Sequence, residues 1–468
     1  MSPQAQLVMI AWLPITLYLF ILFPPRKAVI VSFLGGMLFL PQSAGFRLPL
    51  IPDYMGMIAT CYGILLGIII YDSQRFSTLK LGWLDLPMLI WCICPLFSSL
   101  DNGLGAYDGF NETITQTTTW GLPYFLGRLY LGSLTGLREL AINIIKGGVL
   151  YSPLCWYEGR MSPQLHRMIY GYFAHSSGIL QSIRLGGYRP MVFMIHGLIV
   201  GLWMMVVALL GVWLWKAGVV KKIWGMSIKW LAVVLVLTFF WCRSTGAYIY
   251  FLYGLAVMFT AKWIRTSLPL LLLIAGMSCY LYTAATGSFN GEAIVSFASD
   301  VINPDRAQSL EFRFENEEIL IEKAQEKMIF GWGGWGRSRV LEEDWKGDLV
   351  DVSVTDSIWI ITFGTRGIVG VVSFTASLLL PVVSFCLLVY PPKTWFNPKV
   401  APAAALAVAL TLYMLDCLLN AAIAPIFPLI SGGLSGLVLK GPEKLKPKRL
   451  KSGGKSLSRL KQKKYQHN

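Results

Sequence analysis

Ser309–Gly336 reads SLEFRFENEEILIEKAQEKMIFGWGGWG, and 354–370 reads VTDSIWIITFGTRGIVG; these two stretches decide how the chain is read. They are the charged part of a chain that is otherwise a string of apolar runs. Leu310, Phe314, Ile321, Ala324 and Met328 recur at helical spacing with Leu320 beside them, while Glu315, Glu318, Glu322 and Glu326 take other faces. That pattern predicts an amphipathic helix over 308–328, with Arg313 in its first turns and Asn303–Asp305 as the turn before it. Gly331–Gly336 closes the helix, because glycines allow a tight backbone and Trp332 and Trp335 suit a membrane interface or a sugar face. An acidic link follows, and 292–351 as a whole holds fourteen acids against seven bases.

Outside this segment the chain excludes a soluble fold. Of 468 residues 55% are hydrophobic and 14% charged, against about 25% charged in a soluble domain. The mean hydropathy is +0.58. Apolar runs of span length separated by short charged links predict an all-α polytopic membrane protein with about 13 transmembrane helices. Short alternating strands, the mark of an outer-membrane barrel, are missing. The first run has neither a basic n-region nor a small-residue cleavage site, so it reads as a retained span. The run at 355–390 is too long for one straight helix, which predicts an interfacial start near Asp356 and a break within Gly364–Gly370.

Four parts follow. Residues 1–224 are N-terminal spans, and 225–390 a core with the outer loop 285–354. Residues 391–439 are C-terminal spans, and 440–468 a basic tail with eleven Lys/Arg and one acid. The clusters Arg26/Lys27, Arg75/Lys80, Lys216–Lys222, Lys262/Arg265 and Lys393/Lys399 fall on the tail's side, which the charge rule makes cytoplasmic, with the N-terminus outside. The tail is expected to touch anionic lipid rather than nucleic acid. Its SGGKS (452–456) lacks the earlier glycine of a phosphate loop. The eight cysteines lie in or beside apolar runs and read as small buried hydrophobes.

On the opposite side the basic residues are mainly arginines: Arg160, Arg167, Arg184, Arg189, Arg243, Arg306, Arg313, Arg337 and Arg339. A guanidinium presents a planar fork that grips phosphate bidentately. The plainer expectation is pairing with loop acids, which fits Arg243 and Arg189 less well because no acid is near them in sequence. Asp416, near the outer end of a span, is expected to pair with an outer arginine; His196 is expected to bridge helices, and His166 or His175 could act as a base.

The early arginine on the outer helix, the Gly-Trp-Gly turn, and Asp356-Ser357 followed by nine residues and Gly367-Ile-Val-Gly370 resemble the O-antigen ligase and polymerase superfamily of bacterial membrane glycosyltransferases. In the ligases a histidine stands where this chain has Asp356. Cys242–Ala247 (CRSTGA) is similar to the family's Ser-Arg signal, and Gly127–Tyr130 (GRLY, with Arg128) and Gly186–Phe193 (GGYRPMVF, with Arg189) resemble its upstream arginine segments. The resemblance implies an inner-membrane enzyme that works without metal or cofactor. It would pass a glycan from a polyprenyl diphosphate to a glycan or lipid-linked acceptor at the outer face. Arg243 and Arg313 would then clamp the diphosphate and Asp356 act as base, with Arg189, Arg160, Arg128, Trp332 and Trp335 binding substrate. Without the histidine, polymerisation is at least as well supported as ligation. The alternatives are a lipid-linked sugar flippase and a non-catalytic assembly subunit of the same fold. For Asp356 the plainer role is a helix cap, worth about 1 kcal/mol.

Overall fold

The computed structural model describes residues 2–48, 52–174, 182–184, 186–289, 291, 296, 304–345 and 347–443. Side chains of 304–307, 309 and 310 are left aside, and the tail from 444, His175 and Asn303 lie outside the described residues. The chain is an α-helical membrane protein. Among the described residues, five helical stretches are long and apolar enough to cross a bilayer: Pro3–Leu22, Trp83–Asp101, Gly197–Lys216, Leu268–Ala285 and Ile358–Val389. Shorter apolar helices of 10–17 residues pack among them.

In order, the helices are α1 (Pro3–Leu22), α2 (Pro25–Phe39), α3 (Gly56–Tyr71), α4 (Leu86–Asp101), α5 (Ala106–Gln116), α6 (Leu122–Tyr130), α7 (Leu134–Met161) and α8 (Leu165–Tyr170). Then come α9 (Gly197–Lys216), α10 (Ile228–Trp241), α11 (Thr245–Trp263), α12 (Leu268–Ala285), α13 (Pro304–Gln325), α14 (Ile358–Ser384), α15 (Ala401–Cys417) and α16 (Ile426–Lys440). The most deeply buried are α15 and α16. Nearly every side chain of α15 is enclosed, and its alanines let neighbours approach closely. At Gly127 and Gly432 of α6 and α16, a Cβ would meet the other helix's backbone at 2.1 and 2.0 Å. Seven of the eight cysteines are buried, as expected of small hydrophobes, and Cys279 is exposed.

The long run at 355–390 breaks where its sequence predicts. Gly367 has φ +61° and ψ −162° inside α14, a conformation essentially reserved for glycine. The break would orphan two amides and two carbonyls, and the Gly/Trp turn takes up all four. Ile368 and Val369 donate to the carbonyls of Met328 (2.8 Å) and Ile329 (3.3 Å), while Trp332 and Gly333 donate to those of Gly364 (2.8 Å) and Thr365 (3.1 Å). This splice needs bare backbone, since a Cβ on Gly331 would stand 2.5 Å from the Arg366 nitrogen. From α4, Ser98 donates to Thr365 O (2.8 Å), and Asn102 just beyond it to Gly331 O (2.7 Å). The outer loop is thus tied to the middle of a span.

The predicted amphipathic helix exists as α13, beginning and ending about three residues earlier than its periodicity suggests. Leu320 and Ala324 are its buried residues, whereas Met328 lies past its end and is 40% exposed. The acidic link folds as a hairpin, Leu341–Glu343 against Leu349–Asp351, closed by Arg339 on Asp351 at 3.2 Å.

Arg26, Arg75 and Lys440 share one end of the bundle. Arg26 and Arg75 donate to the carbonyls of Tyr130 and Leu129, and Lys440 to that of Gly132. The opposite end carries the long loops.

Candidate functional site

At the loop end, α13 lies against the starts of α12's return and α14, and Arg313 faces Asp356 there, Nε to Oδ2 at 3.8 Å. The pair is open: 31% of the Arg313 side chain and 49% of Asp356 remain exposed. It borders a small recess lined by Phe312, Asn316, Glu317, Val354, Leu418 and Leu419. Ser357 is the N-cap residue of α14 by position, but its side chain makes no capping bond.

The hydroxyl of Ser357 turns instead to Glu317. This carboxylate accepts from Ser357 Oγ (3.0 Å) and Trp359 Nε1 (3.0 Å) on one oxygen and from Tyr280 Oη (2.6 Å) on the other. Three donors from α12 and the start of α14 converge on a residue one turn along α13 from Arg313. Burial raises the Glu317 pKa above the usual carboxylate value, and the three donors and Arg313 oppose that rise. Glu317 escapes the sequence reading above, although a signal exists. It is the acid that falls on the apolar stripe with Phe314, Leu320, Ile321 and Ala324 rather than opposite it.

Beneath the recess Asp416 is buried near the end of α15 and accepts from Asn420 Nδ2 at 2.7 Å. Tyr250 of α11 and Arg313 both face it electrostatically. Among the described residues, however, Asp416 forms no ion pair within 4 Å; its expected arginine is taken up by Asp356. The Asn420 carbonyl accepts from the Ile358 amide (3.3 Å), which joins this acid to the α14 start.

Arg243 and Arg189 form a second group at the same end. Arg243 stands between α10 and α11 at φ +50°, its Nη1 donating to the carbonyls of Tyr188 (3.0 Å) and Gly159 (3.4 Å). Its guanidinium lies 5.1 Å from the Trp241 ring centre. Arg189 is buried and donates to the Arg243 carbonyl at 3.4 Å. The Gly187 backbone comes close here: a Cβ would sit 2.4 Å from the Arg243 guanidinium. Glu158 organises the loop, accepting from the amides of Leu165, Met191 and Val192 at 2.6–2.8 Å. Arg160, beside it, is exposed.

The other expected residues are placed elsewhere. Arg128 is at the basic end, its fork closed on Asp85 at 2.6 and 3.0 Å. Trp332 is half-buried at the α14 break, donating to the Lys323 carbonyl (2.7 Å) beneath Lys323 and Arg337. Trp335 is 79% exposed and donates to Asp108 at 3.2 Å. Twelve residues of helix, roughly 18 Å, separate Arg313 from Gln325, so this turn is remote from the Arg313–Asp356 recess. His166 is buried and engaged on both ring nitrogens, Nδ1 with the Tyr172 carbonyl and Nε2 accepting from the Gln42 amide. Burial lowers its basicity. His196 caps α9, its Nδ1 accepting from Leu198 N (3.1 Å).

Fold and site together define an α-helical membrane protein with a carboxylate–arginine site at its loop end. No protein-family model matches the chain, and no curated protein matches it either.

Proposed function

We propose that the chain is an integral-membrane glycosyltransferase that extends or transfers glycans carried on polyprenyl diphosphate, working at the outer face of a bacterial inner membrane. The observation that carries this reading is the open Arg313–Asp356 pair, partly exposed beside a recess and next to Glu317. Standing 3.8 Å apart and open to the recess, both groups can meet a ligand. An acceptor hydroxyl held at Asp356 gives up its proton to the carboxylate as its oxygen attacks the donor's anomeric carbon. The bond to the diphosphate breaks, and Arg313 holds the charge that gathers on the leaving oxygens. Arg243 lies at the same end and extends the cationic surface toward the rest of the diphosphate or the glycan, with Arg189 buried behind it. Trp335, ring exposed, offers a stacking face for a sugar.

Between α12 and α14 a groove of about 340 Å³, lined by Ile274, Leu281, Ile368, Val372, Thr375 and Leu379, suits the donor's isoprenoid chain. We read the chain as crossing the bilayer thirteen times, with the broken α5–α6 stretch counted as one pass. With the basic end cytoplasmic, the N-terminus and the recess are then outside. A reporter fused after residue 345 is expected to be active outside the cytoplasm and one at the tail inside; the reverse overturns the reading. Membranes holding the chain, supplied with a polyprenyl-diphosphate oligosaccharide, should yield longer or transferred glycan, and those holding Asp356→Asn should not. Equal product from both removes Asp356 as base.

A further inference from the structure

The basic end holds a group of charges that the transfer reading does not use. Three cations from three distant segments meet the C-terminal turn of α6: Arg26 Nε on the Tyr130 carbonyl (3.1 Å), Arg75 Nε on that of Leu129 (3.1 Å), and Lys440 Nζ on that of Gly132 (2.9 Å). Arg75 also lies over the Tyr130 ring at 5.1 Å. The carbonyls at a helix C-terminus draw cations, and one would suffice for that. Here Lys440 stands in the field of Arg75, Arg128 and Arg26 together.

The carboxylates nearby are engaged elsewhere. Asp85 is closed on Arg128 and Tyr124, Asp72 accepts from Tyr130 Oη (2.8 Å), and Glu443 accepts from the Leu134 amide (3.0 Å). Among the described residues, Arg26, Arg75 and Lys440 have no carboxylate within 4 Å. Each guanidinium spends its Nε on a carbonyl, which leaves its two Nη groups, four N–H donors, for an acceptor from outside the chain. Both arginines are half-buried, so their forks are held rather than waving in solvent.

We propose that this cluster is a binding site for the phosphate of an anionic phospholipid headgroup. Its chemistry fits a phosphate, and its surroundings select the lipid as the source. Ile21 and Leu22 at the end of α1, Ile69, Ile70 and Tyr71 at the end of α3, and Trp83 before α4 are all exposed apolar side chains within eight positions of Arg26 or Arg75 in sequence. Acyl chains would lie along them while the phosphate meets the arginine forks. The bound lipid would add to the joint between α2, the segment after α3, the α6 end and α16.

The test uses the full chain in nanodiscs of phosphatidylcholine, with phosphatidylglycerol added in steps and thermal unfolding as the readout. The expected result is a rise in Tm that saturates with phosphatidylglycerol, and a half-saturating fraction about tenfold or more higher in Arg26→Gln/Arg75→Gln, whose tail is unchanged. Arg26→Lys/Arg75→Lys, which keeps the charge and so protects against loss of folding, should fall between the two because the planar fork is gone. Equal response in wild type and both variants overturns the proposal and assigns the effect to the basic tail. Inorganic phosphate that raises Tm as well as the lipid does would overturn it too, in favour of a free anion. None of these outcomes depends on transfer activity.

Discussion

Two arginine–aspartate pairs stand at opposite ends of this molecule and differ in every physical respect. Arg128 and Asp85 touch at 2.6 Å with 6% and 2% of their side chains exposed, while Arg313 and Asp356 stand 3.8 Å apart with 31% and 49% exposed. The first pair is saturated: Tyr124 donates to Asp85, the Gly82 amide donates to Asp85, and Arg128 also donates to the Lys80 carbonyl. Both side chains are enclosed, so a ligand cannot reach the pair. The second pair is incomplete, and its neighbour Glu317 holds the backbone around it in place. Buried charges must be closed on each other because desolvation punishes any that are not; charges left open at a recess are tolerable because water, or a substrate, completes them. A site arginine is recognised by what it leaves unused.

The comparison is broken most forcefully at the closed pair. Asp85→Asn leaves a buried guanidinium uncompensated and should cost about 3–5 kcal/mol, read as a large loss of Tm or of folded yield. An unchanged Tm would remove the distinction between the pairs. At the open pair the effect should move from stability to rate. Arg313→Lys and Asp356→Asn should each lower transfer by roughly a hundredfold or more while leaving Tm nearly untouched, because an exposed pair contributes about 0–1 kcal/mol. A Tm loss matching that of Asp85→Asn would make this pair structural as well. Next in size is the splice that fixes the outer loop to the broken span. At Gly367 a Cβ would stand 2.3 Å from the Ile329 carbonyl oxygen, so Gly367→Ala should destabilise by about 1–3 kcal/mol or more.

A subtler test concerns Glu317. Its pKa is raised in the folded chain, so the folded state binds more protons than the unfolded one between the ordinary carboxylate value and the raised value. Stability therefore falls as pH rises through that window, and is regained as pH drops below it. Glu317→Gln should flatten that slope while keeping the fold, since the amide can still accept from Ser357 and Trp359. A slope unchanged in the variant would assign it to another group. Asp351 runs the other way: first through the Ser353 hydroxyl, its pKa is lowered, and what it contributes is lost as pH falls through that lowered value. The smallest effect is expected at Trp335, where alanine should shift stability by no more than about 0.5 kcal/mol.

Much of this could be read along the chain because it is local in sequence. Apolar runs, the amphipathic period of α13, the break at Gly364–Gly370 and the gathering of cations at one end each depend on neighbours or on the pleading of charge against lipid. The candidate residues were less legible. Arg128 carries the same short motif context as a substrate arginine, yet Asp85 closes it. Glu317 looked like one more acid among fourteen, although its place on the apolar stripe sets it apart. Trp332 suited a sugar face, and its amide also anchors the splice by donating to the Gly364 carbonyl of α14.

The sequence by itself determined the class: membrane helices, a charged segment between two of them, and an end rich in lysine and arginine. Transfer from water is additive over a run of residues, so composition and period suffice for that. Only the tertiary structure decided which charges meet. Arg313 could pair with Asp356 or Asp416, and Arg128 could face solvent, ligand or Asp85; nothing in the spacing chooses among these. Pairing is settled by contacts between segments far apart in the chain, where a carboxylate is either enclosed with its partner at hydrogen-bond distance or held a little short of it.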